Sequence, residues 1–136
     1  MSMEKPCVLY VEDDPKSCEI MDVMLGKFIR LSDYVIMEDS FDFLDRLAAL
    51  SHNPDIFLVD IFMEPNSGYD ILRLIRQHPD HRHKTVIALT ASVTAQEVDN
   101  MKEAGFDGLI GKPISTQTFP KLFQRILAGE KIWKGS

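Results

Sequence analysis

Several polar residues stand at the ends of apolar runs, where a buried strand would deliver them to the edge of a sheet. Ile56-Phe57-Leu58-Val59 ends in Asp60, and Cys7-Val8-Leu9-Tyr10-Val11 ends in Glu12-Asp13-Asp14. Thr85-Val86-Ile87-Ala88-Leu89 ends in Thr90, and Leu109-Ile110-Gly111 ends in Lys112-Pro113. A carboxylate such as Asp60 can attack phosphorus to form an acyl phosphate. Nucleophile and phosphoryl donor are both anionic, so the reaction needs a cation beside them. Asp13 and Asp14, with Asp60, supply the few hard oxygens that suit one Mg2+, the rest of the shell being water and phosphoryl oxygen. Without a metal, carboxylates this close would repel one another. Lys112, a point charge on a flexible stem, reads either as a surface lysine or as a partner for a phosphoryl oxygen, and Thr90 either as a strand-end cap or as a hydroxyl donor to another. Glu12 is expected outside the ligand set.

The elements that must hold these residues are legible in the hydrophobic period. The run before Asp60 has no polar interruption and reads as a central strand buried on both faces. Residues 7–11, Tyr34 to Met37, residues 85–89 and residues 108–112 read as the other strands. Asp13 or Asp14 can cap the first helix, with Pro15 at its first position, and Ile20, Met21, Met24, Leu25 and Phe28 form its expected core stripe. A second helix is predicted over about Ser40 to Leu50, with Phe41, Leu44, Leu47 and Ala48 on one side. Gly68, in the turn after Asp60, is free to adopt a positive φ. Tyr69, Leu72 and Ile75 mark a third helix ending near His78-Pro79. Thr94 to Glu97 is a capping box for a fourth helix, whose stripe of Val98, Met101 and Ala104 is thin, and Gly105 closes it. Phe119, Leu122, Phe123, Ile126 and Leu127 give the last helix its apolar face. Each strand is followed by a helix, which predicts a (βα)5 doubly wound parallel sheet in a three-layer α/β sandwich.

At 136 residues the chain fits one domain over 1–136, with its core at about 5–128 and a short tail from 129 to 136. The tail carries Trp133, the only tryptophan, read as a packed or partly exposed terminal aromatic. A formal charge of -6 with no basic block argues against direct nucleic-acid binding. No apolar run is long enough for a membrane span and no signal peptide opens the chain, so a cytoplasmic location is expected, with Cys7 and Cys18 as free thiols. The histidines of the segment from Gln77 to Thr85 are read as a polar surface loop rather than a zinc site.

The ordered set Asp13-Asp14, Asp60, Thr90 and Lys112-Pro113, spaced over five strand-helix units from about Lys5 to Leu127, resembles the receiver (CheY-like) domain of bacterial two-component response regulators. The resemblance implies a flavodoxin-like sheet of order 2-1-3-4-5, the backbone carbonyl of Phe62 as a further Mg2+ ligand, and a cis bond before Pro113. It also implies a function. A phosphohistidine on a sensor histidine kinase or histidine phosphotransfer protein would donate to Asp60. Thr90 and Lys112 would answer the new charge, and a downstream protein would read the face formed by helix four, strand five and helix five. Slow hydrolysis would reset the switch, an autophosphatase step rather than metabolic turnover. Two departures stand out. The family commonly has an aromatic residue three positions before the lysine, where this chain has Leu109, and its methionine-proline pair becomes Met63-Glu64 with Pro65 following.

Other readings share parts of this pattern. The chain could be a module of a longer hybrid kinase or transcription regulator, or a phosphorylation-independent adaptor, and a homodimer stays open. A phosphatase with an aspartate nucleophile would carry a second Asp two residues later, where Phe62 stands. A flavin carrier would meet repulsion from the acidic first loop.

Overall fold

The computed structural model describes residues 6–134. The expected lead-in up to Lys5 and the closing Gly135-Ser136 lie outside the described residues. Strands β1 (Val8–Val11), β2 (Tyr34–Met37), β3 (Ile56–Asp60), β4 (Thr85–Thr90) and β5 (Gly108–Gly111) are parallel and ordered 2-1-3-4-5. Between them run α1 (Pro15–Val23), α2 (Phe43–Ala48), α3 (Gly68–Gln77) and α4 (Ala95–Ala104), with α5 (Phe119–Leu127) after β5. Because a parallel sheet is covered on both faces, its strands alternate between two cores. Leu9, Val11, Phe57, Val59, Val86, Ala88 and Leu109 pack with residues of α2, α3 and α4. Val8, Tyr10, Ile56, Leu58, Ile87, Leu89 and Ile110 pack with residues of α1 and α5. Cys7 and Cys18 are buried free thiols, and burial pushes both up to about 11, so neither is a ready nucleophile.

Two helices depart from the stripes read in the sequence. Helix α1 passes into a π-helical turn, Met24–Phe28, whose wider winding shifts the side-chain rows. Met21, Met24 and Leu25 reach the core, whereas Phe28 and Ile20 are exposed. In α2 the interruption is Asp42, held in the left-handed region at φ 48°. It places Phe41 outside the helix, so the buried pair is Phe43 and Leu47, and Phe41, Leu44 and Ala48 face solvent.

Gly68 does not use the positive φ open to it; among the glycines of the described residues that role falls to Gly105 and Gly129. Its contribution is room. A Cβ at Gly68 would lie 2.5 Å from the backbone oxygen of Asp60 and 2.9 Å from the Cα of Ile61. Only a glycine lets the first turn of α3 approach the chain leaving β3 so closely. The histidine segment also differs from expectation. His81 is 4% exposed, its ring set edge-on to Phe57 at 5.9 Å, and burial lowers its pKa.

The tail does not end the core where the period of α5 ends. Trp133–Lys134 forms a sixth strand, β6, parallel to β5, with Leu109 opposite Trp133. The Leu109 N–H donates to the Ile132 carbonyl at 2.6 Å, and Ile132 is buried in the α1–α5 core. Trp133 packs on the other face, with Lys102 Nζ 5.3 Å from its ring centre. Gly108 accommodates this strand, because a Cβ there would meet the Ile132 oxygen at 2.9 Å. Truncating a fully buried isoleucine removes its transfer energy and leaves a cavity. Ile132→Ala is therefore expected to cost about 2–4 kcal/mol in urea denaturation, and a loss near zero would mean that β6 contributes nothing to the fold.

Candidate functional site

The register of the sheet assembles the site. Val11 lies opposite Val59, Asp60 opposite Leu89, and Thr90 opposite Gly111. The residues that follow β1 and β5 therefore come level with the end of β3 at one edge, the place where open α/β sheets bind ligands. The two-residue alternation of strands then sorts the side chains by face. Tyr10 and Leu58 share the α1–α5 face with Ile110, and two residues further along come Glu12, Asp60 and Lys112. Thr90 continues the opposite row of Val86 and Ala88.

Lys112 bridges the two buried acids, its Nζ lying 2.6 Å from Glu12 Oε1 and 3.0 Å from Asp60 Oδ1. Asp60 is 5% exposed and Glu12 1%. Burial, reinforced by the charge of Glu12, pushes the Asp60 carboxyl up to about 6 from its ordinary 3.8, against the opposing pull of Lys112. Burial acts on Lys112 in the opposite sense, but its bonds to Glu12 and Asp60 outweigh it and hold the ammonium above its usual range.

Glu12, Asp13 and Asp60 present carboxylate oxygens within 4.8 Å of one another. This all-oxygen donor set, with Asp13 exposed, fits a hard divalent cation such as Mg2+. Asp14 is not part of the cluster; Glu12 is there in its place. The Asp14 carboxylate caps α1, accepting from the Ser17 N–H at 3.0 Å and the Ser17 hydroxyl at 2.7 Å. Those bonds hold its pKa below the ordinary carboxylate value. The chain itself contained the signal for the cap: Pro15 at the first helical position makes Asp14 the capping residue, while Glu12 and Asp13 stand within reach of Asp60.

Around this cluster, the 61–67 connection forms one wall of an open cleft of about 450 Å³ lined by Asp13, Ile61, Phe62, Met63, Glu64 and Ser67. It is anchored at both ends. Gly68 N–H donates to the Ile61 carbonyl, Ser67 and Asp70 form a reciprocal capping box, and Asn66 bonds Ser40 through its N–H and its side chain. The Phe62 side chain is exposed at the cleft. Thr90 is buried, with its Oγ1 accepting from the Ser92 N–H at 3.1 Å. The Lys112–Pro113 bond is cis, as is Glu64–Pro65.

Residues 8–124 match the family described as the response regulator receiver domain. The chain belongs to that family. Among curated proteins, the receiver is 32% identical over 71 residues to the polar-differentiation response regulator DivK of Brucella ovis, a stretch covering 52% of this chain and 58% of that relative. The bacteriophytochrome response regulator AtBRR superposes with TM-score 0.73 at 26% identity, over 93% of this chain and 94% of that one. A signal receiver domain of a DNA-binding response regulator from Colwellia psychrerythraea gives TM-score 0.78 over 91% of this chain and 99% of that one; at 23% identity it speaks for the fold alone.

Sequence reading overlooked one contact beneath this cluster. Tyr10, counted as a core residue, sends its hydroxyl to Glu12 Oε1 at 2.8 Å.

An acid whose folded pKa lies above its unfolded value destabilises the fold when ionised. The penalty builds as pH rises from about 4 to about 6 and is complete above that. In metal-free buffer, Asp60→Asn is therefore expected to raise stability at pH 7 by up to about 3 kcal/mol and to lose that advantage below pH 4. Denaturant titrations across this range measure it; an advantage independent of pH contradicts the assignment.

Proposed function

We propose that this receiver accepts a phosphoryl group on Asp60 from a phosphohistidine of a sensor kinase or phosphotransfer protein, with Mg2+, and thereby changes its affinity for a downstream protein. The arrangement that supports this best is the Lys112 bridge between Glu12 and Asp60, set beside Asp13 at the carboxyl edge of the sheet. An Asp60 carboxylate oxygen forms a bond to phosphorus as the phosphorus–nitrogen bond to the donor imidazole breaks. Glu12, Asp13, Asp60 and the Phe62 carbonyl are the groups that would hold the cation, which supplies charge neutralisation between nucleophile and incoming phosphoryl oxygens. Lys112 exchanges its bond to Asp60 for one to a phosphoryl oxygen. Thr90, whose Oγ1 accepts from the Ser92 N–H, turns its own hydroxyl to donate to another phosphoryl oxygen and draws the loop after β4 with it.

The response is a population shift read at α4, β5 and α5. Leu109 occupies the strand position where an aromatic is common in the family, and β6 covers the outer edge of β5, so a partner there meets α4, α5 and β6 rather than a bare strand. No helix among the described residues is long and apolar enough to cross a membrane, in keeping with a regulator working in the cytoplasm beside its kinase.

Intact-mass measurement after incubation with acetyl phosphate and Mg2+ tests the central claim. One phosphoryl group is expected on the native chain and none on Asp60→Asn. No gain under conditions that label another receiver would favour the phosphorylation-independent adaptor. Mg2+ titrations test the ligand set: Glu12→Ala is expected to weaken binding strongly, whereas Asp14→Ala lowers the thermal midpoint by uncapping α1 and leaves Mg2+ affinity nearly unchanged. The reverse ranking would restore Asp14 to the ligand set.

A further inference from the structure

We infer that Tyr10 is a positioning residue of the cation site, its buried hydroxyl fixing the Glu12 carboxylate independently of Lys112. The inference rests on the Mg2+-dependent reading above and adds a residue to it.

Tyr10 is fully buried in the middle of the sheet, and its position two residues before Glu12 puts both side chains on one face. The Glu12 carboxylate is held at both oxygens. Oε1 accepts from the Tyr10 hydroxyl at 2.8 Å and from Lys112 Nζ at 2.6 Å, and Oε2 accepts from the Asp14 N–H at 3.3 Å. A carboxylate oxygen accepts about two hydrogen bonds. Oε1 is therefore saturated, and Oε2 keeps capacity for one more partner. That makes Oε2 the atom through which Glu12 serves a cation.

The two bonds on Oε1 differ in permanence. Lys112 is a flexible cation that also contacts Asp60, and the proposed chemistry requires it to turn to a phosphoryl oxygen. A Glu12 held by Lys112 alone would follow the ammonium as it turns from Asp60 to the phosphoryl oxygen, and would lose its aim. Tyr10 is rigid by comparison. Its ring is packed among Val8, Leu58 and Ile110 on its own face of the sheet, and its hydroxyl lies 2.8 Å from Glu12 Oε1. Glu12 thus stays aimed while Lys112 changes partners. An apolar residue at position 10 would satisfy the core equally well, so packing alone does not explain a phenol there.

The test is Mg2+ binding by calorimetry on the full chain, with the metal itself as probe and thermal denaturation in EDTA alongside. Tyr10→Phe keeps the ring and removes one donor. It is expected to raise the Mg2+ dissociation constant by roughly 10- to 150-fold, the scale of a hydrogen bond to a charged group. The phosphorylation rate at saturating Mg2+ should remain within about twofold, because the variant weakens occupancy and not the chemical step. In a Glu12→Ala background the same substitution should cause no further loss of affinity. A purely structural Tyr10 would lower the thermal midpoint in EDTA and leave Mg2+ affinity unchanged; that result, or additive losses in the double variant, overturns the inference. If Tyr10→Phe does not fold, the native chain labelled with 13C at the tyrosine Cζ decides. The Tyr10 resonance should move with Mg2+ at the calorimetric midpoint, and a resonance indifferent to the metal overturns the inference. Failure of the native chain to bind Mg2+ would instead remove the reading on which it rests.

Discussion

Lys112 carries the electrostatic constraint on which this receiver depends. Two carboxylates are almost wholly withdrawn from water at the end of the sheet, and a third stands beside them. Like charges at this distance in a poorly solvated setting are tolerated only with a compensating cation. The Lys112 ammonium touches both buried acids and supplies it. The compensation is incomplete, as the elevated Asp60 pKa records. The site is therefore built at a cost to the fold, of the kind that further positive charge beside the carboxylates would lessen.

Everything else in the molecule serves to keep that arrangement in register. Parallel pairing fixes the heights of the strand ends, and the two-residue alternation fixes which side chains share a face. Gly68 lets α3 start against the Asp60 backbone, and the Ser67–Asp70 box with the Asn66–Ser40 bonds holds the intervening loop. Thr90 sits on the opposite face from Lys112, so the two groups would approach a phosphoryl group from different sides of the sheet. That separation suits a switch, since each group is tied to different elements: Thr90 to the loop before α4, Lys112 to the turn before α5.

The family match covers residues 8–124, whereas the ordered core continues to Ile132 and Trp133. Strand β6 and the Lys102–Trp133 contact tie α4 to the end of the chain. Leu109, which departs from the family's aromatic, lies directly opposite Trp133. The edge that carries the smaller side chain is thus also the edge that the chain covers with an indole, and the two features belong to one local solution.

Strand ends were legible in the sequence because an uninterrupted apolar run that stops at a charge fits poorly anywhere but in a buried strand. Asp60, Thr90 and Lys112 were found that way, as were α3, with its wide apolar stripe, and α5. Helices α1 and α2 were read less well, since a π turn and a left-handed Asp42 break the period from within, and neither leaves a mark in hydrophobicity. Composition could not tell which of Glu12, Asp13 and Asp14 come within reach of Asp60. The distinction is geometric: capping engages Asp14, while strand alternation turns Glu12 toward Asp60. Tyr10 was hidden for the same reason, because a phenol in an apolar run reads as core until its hydroxyl is given a direction. The sequence by itself determined which residues reach the sheet edge. Only the tertiary structure decided which of them meet, because meeting depends on the register between strands distant in the chain and on which hydrogen bonds each carboxylate has already made.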